Sequence, residues 1–93
     1  AIVTTTELCA RYTCDVVIGF IPNSEFFRPD SRSDAYAEDI LVTSERLGLI
    51  FIDGRAVLDT KKDSLEFAAK GPHLSPQGYS KMAEAISKSA LQR

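Results

Sequence analysis

The sequence predicts an α/β fold in the order helix, strand, helix, strand, helix, with a parallel sheet. Three observations carry this. The runs "VVIGFIP" (Val16 to Pro22) and "LIFID" (Leu49 to Asp53) are almost unbroken apolar stretches, the pattern of strands covered on both faces. Between them, Ala37, Ile40, Leu41, Ser44 and Leu47 recur at helical spacing. Strands that alternate with helices are joined by right-handed crossovers, which makes neighbouring strands parallel.

Each element has its own signals. Thr4 to Tyr12 reads as the end of a helix, with Thr4 and Glu7 forming a capping box. The first strand follows, and Pro22 stops it. Asn23 to Ser33 is a loop by composition, and Ser33 or Asp34 caps the middle helix. Gly48 stands where that helix needs a left-handed residue. The second strand ends at Gly54. A long polar connection runs from Arg55 to Leu74, with a helical turn over Ser64 to Ala69. Ser75 caps the last helix and Pro76 takes its first position, where a missing amide costs nothing. Tyr79, Met82, Ala83, Ile86 and Ala90 form the stripe expected to pack on the sheet.

A chain of 93 residues makes at most one domain, or part of one. With a net charge of -2 it lacks the basic footprint of a nucleic-acid binder. No apolar run reaches the roughly 18–20 residues of a membrane span. The first residue is Ala1 rather than methionine, which fits a trimmed piece and equally fits removal of the initiator. Cys9 and Cys14 read as two half-buried apolar residues, because a disulfide across so small a loop at a helix end is geometrically demanding. With a single histidine, no metal site is expected, and no cofactor either. Two strands alone leave an edge that should be central, so further strands or a second copy are expected beside this chain.

In open α/β sheets, ligands bind outside the carboxyl ends of the strands. His73, the one histidine, lies in the connection leaving the second strand, two residues before the Ser75 cap. A ring held there can take a proton from a hydroxyl and return it to a leaving group. The run "HLSPQGY" before an amphipathic helix, with "VVIGFIP" and "LGLIFIDG" upstream, resembles the last conserved block of the SGNH (GDSL-type) ester hydrolases and acyltransferases. The resemblance covers nearly all of residues 1–93, but only the C-terminal portion of such a domain. It implies part of a three-layer α/β/α flavodoxin-like sheet that cleaves or transfers acyl groups, with His73 as the catalytic histidine. The substrate it implies is a small acyl ester or acetylated carbohydrate.

Two departures qualify that likeness. The family's nucleophile is a serine in a Gly-Asp-Ser motif near the N-terminus, with oxyanion donors in middle blocks. None of these is present, so the expected partner is an N-terminal half bearing that serine. Asn23 follows a strand, but nothing marks it as an oxyanion donor. The family also places an aspartate two or three residues before the histidine, where this chain has Gly71 and Lys70. Asp53, Asp59, Asp63, Glu66 or a backbone carbonyl remain as groups to orient the ring. Without nucleophile and acid, the same residues also fit a non-catalytic interaction module, homodimeric through its strand edge. Arg28, Arg32, Arg55 and the "DTKKD" turn read as solvated charge.

Overall fold

The computed structural model describes residues 1–12 and 14–91, with side chains through Ser89. The elements are α1 (Ile2–Tyr12), β1 (Val17–Phe20), α2 (Ser33–Leu47), β2 (Ile50–Asp53), α3 (Gly54–Val57) and α4 (Pro76–Leu91). The fold is mixed α/β around a two-stranded parallel sheet, with Val17 beside Ile50, Ile18 beside Phe51, Gly19 beside Ile52 and Phe20 beside Asp53. α2 is the crossover that makes the pair parallel. It ends at Gly48 in the left-handed conformation, φ 69°.

The core is small. Ile52, Leu58, Phe67, Leu74 and Met82 form one buried cluster, with Val17, Ile50, Val57 and Ala85 packed at its margin. Met82 anchors α4 to the sheet, and its terminal methyl lies 3.7 Å from where a Cβ on Gly19 would stand. On α1 only Cys9 is buried. The radius of gyration is 14.3 Å, against about 12 Å for a compact chain of this length. The accessible surface is 6565 Å², against about 5300 Å² for a compact monomer of this mass. The molecule exposes more surface than a compact monomer of its mass.

Several sequence expectations need correction. Thr4 and Glu7 lie inside α1, not at its start, so they form no capping box; the first helical residue is Ile2. Neither Ser33 nor Asp34 caps α2: Arg32 holds the cap position and gives no side-chain hydrogen bond. Ser64 to Ala69 is not helical. Phe67 instead bridges Leu74 in antiparallel fashion, and the helical turn falls earlier, at α3, where Asp53 accepts a hydrogen bond from the Arg55 amide at 2.9 Å. Cys9 and Cys14 are disulfide-bonded, with Cα atoms 5.1 Å apart. The reason is local: the Cys14 amide donates to the Cys9 carbonyl at 3.2 Å, which folds the chain back at the end of α1.

The inner stripe of α4 is rotated from its expected place. Gly78 and Met82 are buried and Ala85 half-buried, whereas Tyr79 is 50 % exposed, Ile86 39 % exposed and Ala83 exposed. The side chain of Ala90 lies outside the described residues. Gly78 sets the rotation. A Cβ there would overlap the Glu66 carbonyl oxygen, so the bare glycine face is the one that can approach the Glu66 backbone.

Candidate functional site

The two loops leaving the strands meet at one rim of the sheet. Asn23 to Phe27 from the β1–α2 loop and Lys61 to Pro72 from the β2–α4 connection line an open cleft of about 760 Å³. The Ser24 hydroxyl donates to the Gly71 carbonyl at 3.1 Å and ties the loops together. This is where the strand-end rule places a ligand.

His73 sits on a small hairpin in the second loop. The Ala68 amide donates to the His73 carbonyl at 2.9 Å and the Ser75 amide to the Glu66 carbonyl at 3.0 Å, closing the turn from both sides. Gly71, at φ 82°, supplies the left-handed residue at its tip. The Ser75 hydroxyl accepts from the Gly78 amide at 3.2 Å and donates to the Leu65 carbonyl at 2.6 Å, so it caps α4 as expected and fastens the helix start to the hairpin. The backbone under His73 is therefore well held. Its ring is exposed and makes no hydrogen bond to the described residues. The cleft lining reaches Pro72 but does not include His73.

None of Asp53, Asp59, Asp63 and Glu66 bonds to the ring, and Asp53 and Glu66 are held by other groups. Asp53 is bound to Arg55, whose Nη2 lies 2.7 Å from Oδ2. The Arg55 hydrogen bond holds the Asp53 carboxyl below the usual carboxylate range, against the opposing effect of burial. Arg55 also reaches Asp34 at 2.8 Å and Glu38 at 3.0 Å, with only 17 % of its side chain exposed. It is not a solvated loop charge but a clasp between the end of β2 and the first turns of α2. Asp59 accepts from the Lys61 amide at 3.1 Å, and Asp63 makes no bond to the ring. Glu66 is 5 % exposed. Its Oε2 lies 2.5 Å from Lys81 Nζ, and its Oε1 accepts from the Asp59 amide at 2.7 Å. The Lys81 contact first, and the Asp59 amide second, hold the Glu66 carboxyl below its ordinary range.

Sequence reading missed the Glu66–Lys81 pair because nothing in the spacing of two residues 15 apart announces it. The Arg55 clasp was half visible: Asp53 one residue before Gly54 is a helix-cap signal. Both pairs predict acid sensitivity with a definite sign. A carboxylate whose folded pKa is depressed contributes stability above its unfolded pKa, and that contribution is lost as pH falls through the folded value. The thermal midpoint should be flat down to about pH 5 and drop below about pH 4. Glu66→Gln should flatten part of that acid limb; a limb of unchanged steepness in the variant would clear Glu66 of the role.

Among the described residues no group of three His, Cys, Asp or Glu side chains is placed to hold a metal ion. No described helix is long and apolar enough to cross a membrane. Comparison with protein-family models, curated proteins and solved structures found no match to this chain.

Proposed function

We propose that this chain carries the general base, His73, of a serine esterase or O-acyltransferase whose nucleophile lies in polypeptide outside these 93 residues. One observation carries the reading. Within the His-Leu-Ser-Pro-x-Gly run, Leu74 fills the core, Ser75 caps α4, Pro76 opens it, and Gly78 lets it approach the Glu66 backbone. The His73 ring serves no such purpose, yet it stands exposed on a backbone pinned by hydrogen bonds. A ring that is left free to bond, on the residue next to the cleft-lining Pro72, supports a proton-transfer role.

In that role a serine oxygen bonds to the ester carbonyl carbon while His73 takes the serine proton. Collapse of the tetrahedral adduct breaks the bond to the leaving alcohol, and His73 returns the proton to it. Water or an acceptor hydroxyl then takes the acyl group by the same steps reversed. No described carboxylate orients the ring, so the orienting group comes with the missing part or the pair works as a Ser-His dyad. The fold belonging to this reading is a three-layer, flavodoxin-like sheet whose further strands continue from the β1–β2 pair. The excess accessible surface supports it, since a standard interface covers about 800 Å² per partner. A small acyl ester or an acetylated carbohydrate is the substrate class, on resemblance alone.

The test is turnover of a chromogenic acetyl ester by the full-length gene product and by the 93-residue chain. Activity in the first and none in the second is expected. A gene product that is no longer than this chain, or one inert toward acetyl esters, would sink the reading.

The outer edges of the β1–β2 pair, unpaired among the described residues, with Tyr79 and Ile86 exposed on α4, also favour a non-catalytic module that pairs with a second copy. Sedimentation of the protein should then show a dimer at micromolar concentration; a monomer there would remove this alternative.

A further inference from the structure

We infer that the Cys9–Cys14 disulfide is a redox switch that holds α1 to the rest of the protein when oxidised and releases it when reduced, beyond the acyl-transfer reading and independent of it. α1 has little else to hold it. None of its residues belongs to the buried core or to the margin of that core. Cys9 is its one buried residue, while Val3, Leu8 and Tyr12 stand exposed. The Thr6 hydroxyl donates to the Ile2 carbonyl at 2.8 Å, a bond that stays within the helix. Among the described residues no ion pair joins α1 to another element. Its backbone tie is the Cys14 amide, which donates to the Cys9 carbonyl at 3.2 Å and so joins the same two residues as the disulfide.

The helix depends on that attachment. At 11 residues it is shorter than the about 12–15 below which isolated helices are marginal in water. The disulfide fixes its last turn to the chain just ahead of β1. With the bond broken, one backbone hydrogen bond is left to fold the chain back there. Segments with so few buried contacts are the ones that open locally while the rest of a fold stays closed.

The two cysteines differ in access, which sets the chemistry. Cys9 is 7 % exposed, whereas Cys14 is exposed. An incoming thiolate therefore attacks the Cys14 sulfur. A new sulfur–sulfur bond forms there, the Cys9–Cys14 bond breaks, and Cys9 leaves as a thiolate that takes a proton from water. The second thiol of a dithiol reductant then displaces Cys14 from the mixed disulfide. Two electrons pass in all: the protein disulfide is reduced to two thiols and the dithiol is oxidised to a disulfide. Exposed disulfides are the labile and regulatory ones, whereas buried structural ones resist reduction.

Amide hydrogen exchange of the full-length protein, with and without dithiothreitol, tests this. Under reduction the amides of Glu7 to Tyr12 should exchange about tenfold faster or more, while those of α4 keep their rates. The double variant Cys9→Ser, Cys14→Ser should show the fast α1 exchange in both conditions and lose the response to dithiothreitol. Glutathione, which carries one thiol, should be trapped as a mixed disulfide on Cys14. Its capture on Cys9 instead would overturn the point of attack. Exchange in α1 that reduction leaves unmoved would overturn the switch. So would a loss of protection that spreads to α4, since the bond would then staple the whole fold, and so would two free thiols in the protein purified under air.

Discussion

If the proposed role holds, alanine at His73 should lower kcat/KM of the full-length protein toward an acetyl ester by about 10²–10⁴-fold, the usual worth of a positioned acid-base group. The same variant should keep its thermal midpoint, because the ring is exposed and makes no hydrogen bond to the described residues. The two readouts together separate catalysis from scaffolding. A structural histidine would move the midpoint and drag activity with it. A solvated one would move neither, and unchanged turnover would end the catalytic assignment. Saturation kinetics add a third check: loss of a group that acts only in the transition state falls on kcat rather than on KM.

The largest effect on stability is expected at Gly78. Replacing a helix glycine by alanine ordinarily stabilises by up to about 1 kcal/mol. Here the added methyl would overlap the Glu66 carbonyl oxygen and press on the Leu74 Cβ, 3.1 Å away. That carbonyl cannot swing aside freely, since it accepts the Ser75 amide at 3.0 Å. Overpacking against fixed backbone costs about 3 kcal/mol, so the clash outweighs the propensity gain by about 2 kcal/mol. The midpoint of Gly78→Ala should fall by roughly 8–16 °C in a domain of this size. Ser80→Ala, on an exposed position of the same helix, should stay within about 0.5 kcal/mol of the parent. A Gly78→Ala protein as stable as the parent would mean that α4 does not lie against the Glu66 backbone.

These two residues are neighbours in one short run and yet belong to different explanations. Of the family-like run His73 to Tyr79, most is accounted for by the need to start a helix and dock it. Likeness in such a run is thus evidence about local structure first, and only side chains that packing and capping leave unexplained, His73 among them, can speak to chemistry. The acids show the converse. Asp53 and Glu66 were reasonable partners for the ring by sequence position, but the fold spends each on a nearby cation, Arg55 or Lys81. In a chain where one histidine faces 13 carboxylates, proximity in sequence decides little about which of them pair.

The sequence by itself determined the strands, the crossover helix with its Gly48 end, and the Ser75-Pro76 start of α4. These follow from apolar runs, helical spacing and capping, all of which act within a few residues. Tertiary structure alone decided the face of α4 turned inward and the ties of Glu66 to Lys81 and of Arg55 to α2. Each of these depends on which backbone passes close to which side chain after the chain has folded back. Such contacts join residues far apart in sequence and leave no periodic trace in it.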